Sequence, residues 1–172
     1  MPTIRIVLTI AAVLATLAGR ADAAPGVGKP APRLVSPEID GKRFDLTTLR
    51  GKVVIINFWA TWCPPCRQEM PALDAFYSRF HDRGVELIGM SVDHSRDRKS
   101  VTKAAQEVHY PVAMLADAET NGFGKPGALP VTYIVDQAGT VRFVMTPDTT
   151  GVTESSLEQA VTPLLPGDHP NP

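Results

Sequence analysis

The sequence predicts an α/β fold, a central mixed β-sheet with helices on both faces, and three observations carry that prediction. Apolar runs of strand length alternate with stretches of helical periodicity in the order βαβαβ. Near the C-terminus two β-branched runs flank a tight-turn signal, so the last two strands return antiparallel. Ahead of the first long strand a turn-centred segment stands apart from this alternation as an N-terminal β-hairpin extension.

Taken in order, Ile39–Phe44 reads as that hairpin, because Asp40-Gly41 readily adopts the positive φ of a tight turn. Val53–Phe58 is an unbroken β-branched run, as expected of a central strand covered on both faces. Arg67–Arg83 places Met70, Leu73, Phe76, Tyr77 and Phe80 at helical spacing and stops at Gly84. Val85–Val92 is a second buried strand, Arg96–Val108 a polar-faced helix ended before Pro111, and Val112–Leu115 a short strand. Pro130 opens the strand Val131–Val135, residues 136–139 turn the chain, and Thr140–Met145 returns. Ser155 with Glu158 forms a capping box for a last helix that carries Leu157, Ala160, Val161, Leu164 and Leu165 on one face.

The ends are read separately. Arg5, the uncharged run Ile6–Ala18 and the small residues Ala21 and Ala23 have the layout of an export signal over residues 1–23, cleaved after Ala23. The run is short of the roughly 20 residues that span a bilayer, and retention as an uncleaved membrane anchor is the alternative. Residues 24–32 form a linker, 33–165 one domain and 166–172 a flexible tail. The compartment this implies is extracytoplasmic, a bacterial periplasm, where cysteines can cycle against other disulfides. With 17 Lys and Arg against 18 Asp and Glu and no basic run, the chain has nothing to neutralise a phosphate backbone, which excludes nucleic acid as its main partner.

The two cysteines, Cys63 and Cys66, are too few and too close for a stapling framework. They sit between a strand and a helix, where the helix N-terminus favours thiolate over thiol. In this reading Cys63 is the exposed attacking thiol, and Cys66, one turn further on, is covered and resolves the mixed disulfide. An inert disulfide would constrain little chain entropy with so short a ring. No further Cys or His stands at zinc-ligand spacing beside the pair, so no metal site is assigned.

The segments Phe58–Pro71 (FWATWCPPCRQEMP), Gly89–Asp93 (GMSVD) and Ala128–Asp136 (ALPVTYIVD) resemble the TlpA/ResA-like thiol-disulfide oxidoreductases, and the likeness runs from Pro32 to Leu165. It implies a thioredoxin-like fold and a protein disulfide reductase with no cofactor beyond the redox-active Cys63–Cys66 pair. It implies that Pro130 is cis and lies against the cysteines, shielding them from metal and leaving the Leu129 backbone free for an extended substrate. It further implies that Glu69 is a buried acid that exchanges protons with the pair, a solvated surface glutamate being the alternative. Thioredoxin carries an aspartate where this chain has Asn57, which cannot titrate, so the burden moves to Glu69. Trp62, Pro64, Pro65 and Leu129 are the expected substrate-binding residues, and Trp59 and Phe58 join that apron or pack in the core.

The implied partners are protein thiols and disulfides, apocytochrome c among them, and a membrane thiol reductant as electron donor, with the chain acting as a monomer. An oxidant or isomerase is the alternative direction. Two other readings compete: a thiol peroxidase of the same fold, which would need a PxxxTxxC or PxxxSxxC segment that Phe58–Cys63 lacks, and a redox-linked metal chaperone, with His94 as a copper ligand. The remaining histidines, His81, His109 and His169, are scattered and carry no assignment.

Overall fold

The computed structural model describes residues 24–165. The expected export signal and tail therefore lie outside the described residues. In chain order the elements are β1 (Leu34–Pro37), β2 (Arg43–Asp45), β3 (Val53–Trp59), α1 (Pro64–Phe80), β4 (Val85–Ser91), α2 (Arg98–Ala105), β5 (Val112–Met114), β6 (Thr120–Asn121), β7 (Val131–Val135), β8 (Val141–Met145) and α3 (Glu154–Val161). Five strands form the main sheet in the order β5-β4-β3-β7-β8. The β3–β4 and β4–β5 pairs are parallel and the β3–β7 and β7–β8 pairs antiparallel, so the sheet is mixed as expected. Among the described residues no helix is long and apolar enough to cross a membrane.

Residues of β3 divide between two hydrophobic clusters. Val53, Ile55 and Trp59 join Leu73 and Phe76 of α1, Val101 and Ala104 of α2, and Leu157 and Val161 of α3. Val54, Ile56 and Phe58 join Leu34, Phe44, Leu46, Phe123 and Tyr133. All three helices thus share one face, and a second sheet of order β2-β1-β6 lies over the other. Helices on both faces were expected, and the strand order explains the difference. From β3 to β4 to β5 the chain steps one way across the sheet, so right-handed crossovers leave α1 and α2 on the same side. Removing each large side chain of these clusters from water contributes roughly 2 kcal/mol.

Element boundaries differ from the expected ones where local chemistry outweighs periodicity. The hairpin reaches beyond the expected segment at both ends: β1 precedes it, β2 begins within it at Arg43, and residues 38–42 are the turn, where Gly41 takes φ +90° and Asp40 Oδ1 accepts from Lys42 N at 3.0 Å. Helix α1 begins at Pro64 rather than Arg67, since prolines in the first turn lose no hydrogen bond. Past Phe80 it tightens into a 3₁₀ turn that Gly84 ends at φ +88°. Helix α2 is shorter than Arg96–Val108, preceded by a 3₁₀ turn over Ser95–Asp97. Beyond it Asp74 captures the His109 backbone N–H and Pro111 forces the chain out of helix. The capping box of α3 is Thr153 with Ser156, not Ser155 with Glu158, whose carboxylate instead meets Arg79 at 3.0 Å.

Candidate active site

Strand β3 delivers the chain to the start of α1, and local chemistry sets that junction residue by residue. Pro64 and Pro65 occupy the first helical positions, where their missing N–H groups leave nothing unsatisfied. Cys63 is the N-cap: its Sγ accepts a hydrogen bond from Cys66 N at 3.3 Å and is joined to Cys66 in a disulfide. Once that bond is reduced, the same N–H and the positive end of the helix dipole favour negative charge on the Cys63 sulfur.

The approach to Cys63 is clamped from the neighbouring strand. Asp93, only 2% exposed, accepts Thr61 N at 2.9 Å and Ser91 Oγ at 2.7 Å on Oδ2, and Thr61 Oγ1 at 2.6 Å on Oδ1. Val92 N donates to Trp59 O at 2.8 Å, which extends the β3–β4 pairing by one bond. Asp93 is a site residue that sequence reasoning missed. Its signal was a carboxylate following directly on an apolar strand, a place where burial demands partners.

Cys63 lines a groove of about 540 Å³. Trp62, Pro64 and Pro65 line it from the start of α1, Lys125–Leu129 from the segment before β7, and Val92 and His94 from just beyond β4. All four expected substrate-binding residues, Trp62, Pro64, Pro65 and Leu129, are thus brought together. The expected contrast in exposure between the cysteines is not present, since Cys63 is 4% and Cys66 2% exposed. Both belong to the helix-side hydrophobic cluster, joined by their disulfide. Their difference is one of access: Cys63 lines the groove and Cys66 does not. Trp62 stands 66% exposed, whereas Trp59 and Phe58 are fully buried and belong to the core.

Glu69 follows Cys66 by three positions and so returns to the same side of α1. It is half-buried, and Oε1 accepts from Val152 N at 3.2 Å, tying α1 to the segment before α3, while Oε2 is buried with no hydrogen-bond partner. Burial pushes the carboxyl above the usual range, and the Val152 N–H opposes that only in part. The Leu129–Pro130 bond is cis, and Pro130 is buried just before β7. Val131 pairs with Phe58, which brings this proline to the sheet end that carries Cys63. Asn57 is buried and donates to Thr132 Oγ1 at 2.9 Å, a structural bond within the sheet.

Of the histidines, His94 lines the groove, His109 meets Asp74 at 2.9 Å, and His81 lies 3.7 Å from Glu86. His169 is outside the described residues. Among the described residues no three His, Cys, Asp or Glu side chains are grouped to hold a metal ion.

Residues 27–144 match the AhpC/TSA family. The chain is 34% identical over 115 residues to a thiol-disulfide oxidoreductase ResA of Bacillus cereus, covering 67% of this chain and 66% of that protein, just short of two thirds of its length. With ResA of Bacillus subtilis (strain 168) the identity is 32% over 141 residues, covering 82% of this chain and 77% of the other. Among solved structures, a thiol:disulfide interchange protein of the thioredoxin family from Chlorobium tepidum TLS superposes with a TM-score of 0.65 at 29% identity, covering 82% of this chain and 99% of that one. The fold is thioredoxin-like.

Proposed function

The chain belongs to the AhpC/TSA family and to the ResA-like thiol-disulfide oxidoreductases, and from that premise we propose that it works as a protein disulfide reductase through Cys63 and Cys66. The observation that carries this reading is the disulfide at the first turn of α1 with one of its two sulfur-bearing residues lining an open groove.

In the proposed cycle the Cys63 thiolate attacks one sulfur of a substrate disulfide. A Cys63–substrate S–S bond forms, the substrate S–S bond breaks, and the departing substrate thiolate takes a proton. Cys66, losing its own proton, then attacks the Cys63 sulfur and expels the second substrate thiolate. The substrate gains two electrons and the chain is left with its Cys63–Cys66 disulfide. In this reading Glu69, three positions after Cys66 and raised in proton affinity by burial, takes the Cys66 proton. Leu129, lining the groove next to Pro130, offers backbone to an extended substrate.

The reaction as proposed uses no cofactor beyond the dithiol and a monomeric chain. The setting is the periplasm, with apocytochrome c as one substrate class and a membrane thiol reductant returning electrons to Cys63–Cys66. What supports this is the likeness to ResA proteins together with the signal-like residues 1–23.

Catalytic amounts of the protein should accelerate reduction of insulin disulfides by dithiothreitol, and its midpoint potential against glutathione should lie nearer thioredoxin, at about −270 mV, than DsbA, at about −120 mV. No acceleration would overturn the reductase reading, and a potential near the upper figure would assign the chain to oxidation.

A further inference from the structure

We infer that the groove beside Cys63 selects protein disulfides whose reacting cysteine is flanked by acidic residues, with Lys125 as its specificity-determining cation and His94 as a further polar contact. This rests on the dithiol reading above and adds the class of substrate.

The groove is built from apolar and proline side chains together with Lys125 and His94, and no carboxylate lines it. The chain as a whole is nearly balanced, with 18 acidic and 17 basic residues. Four arginines elsewhere pair with carboxylates: Arg43 with Glu119, Arg67 with Glu107, Arg79 with Glu154 and Glu158, and Arg98 with Asp117. Lys125 and His94 meet no carboxylate among the described residues. The acid next to His94 in sequence, Asp93, spends both oxygens on Thr61 and Ser91, and Asp97 lies beside Arg96 at 3.8 Å. Lys125 and His94 are both exposed and both line the groove with Cys63.

Uncompensated positive charge at such a rim acts mainly on encounter. It draws an acidic segment in, orients it, and repels a basic one. The apolar surfaces of Val92, Leu129, the prolines and the exposed Trp62 add contact that is indifferent to sequence. Charge choice is thereby left to Lys125. The occupant is an extended peptide segment of a partner protein carrying Asp or Glu within a residue or two of its cysteine.

The test uses three quenched-fluorescent peptide disulfides, identical except that the residues flanking the reacting cysteine are Glu, Gln or Lys. Second-order rate constants for their reduction by the reduced protein are measured at low and high salt. At low salt the Glu peptide should react about tenfold faster than the Lys peptide. At about 0.5 M salt, where the screening length falls to a few ångströms, the gap should narrow to roughly twofold. Lys125→Glu and His94→Glu should each cut the Glu-to-Lys rate ratio by about threefold, and the double variant should invert it. Equal rates on all three peptides, a preference for Lys, or ratios unmoved by the variants would overturn the inference while leaving the reductase reading in place. Failure to reduce even the Gln peptide would instead bring down the reductase reading, and this inference with it.

Discussion

Asp93, just beyond β4, holds Thr61, just beyond β3, by two hydrogen bonds, from Thr61 N at 2.9 Å and from Thr61 Oγ1 at 2.6 Å. The parallel strands are thereby tied together at the point where the chain leaves the sheet for Cys63. Asp93→Ala would strand three donors, two of them on Thr61 and one on Ser91, and should lower unfolding free energy by roughly 3 kcal/mol. Asp93→Asn keeps the shape and part of the bonding and should lose less. Urea denaturation reads the stability, and an alanine variant as stable as the parent would show the clamp to be idle.

The two thiols should differ in reactivity once reduced. Cys63 lines the groove and sits under the helix dipole, whereas Cys66 is 2% exposed and does not line it. Brief iodoacetamide treatment of reduced protein, followed by peptide mass spectrometry, should find Cys63 alkylated at least about tenfold faster. Equal labelling would refute the division of roles.

Cys66→Ser should accumulate mixed disulfides with its substrates, because escape then waits for an external thiol. The adducts should vanish on adding reductant, and Cys63→Ser should trap few. Their identities would separate a dedicated reductase, with one or two partners carrying CxxCH, from one of broad specificity. Trapping by Cys63→Ser alone would reverse the nucleophile assignment.

Glu69→Gln should change the pH dependence of both stability and thiol titration. The carboxyl is held above its ordinary value chiefly by burial. Its contribution to stability is therefore present below the ordinary value and is lost as pH rises through the folded one. Urea denaturation between about pH 4 and pH 7 should show the parent losing stability relative to Gln as pH rises. Parallel curves, with an unchanged thiol titration, would make Glu69 a surface residue.

Phe76 stacks on Phe80 with ring centroids 4.3 Å apart in the helix-side cluster. Phe76→Ala should cost roughly 3–5 kcal/mol, read as a fall in the urea midpoint, and a smaller loss would mean that the cluster collapses around the gap.

Much of the fold and site is legible in the sequence because it is written locally. The unbroken β-branched run of β3 announces a doubly covered strand, and Cys63-Pro64-Pro65-Cys66 announces a helix start. What escapes is set by tertiary contacts. Strand β6 is two residues long and exists only through pairing with Leu34 and Val35, so no periodicity could reveal it. The groove at Cys63 is completed by a segment more than sixty residues downstream, Lys125–Leu129. Placing α2 on the same face as α1 requires the strand order, which the run of elements does not state.

Two segments that line the groove come from distant parts of the chain, one following β3 and the other preceding β7, and the ladder between those strands joins them. Loops tolerate drift in sequence better than the elements they connect. On the proposed reading, exchanging residues 125–129 changes the choice of client while Cys63 and Cys66 are left in place, and a loop grafted from a relative should bring that relative's preferences with it.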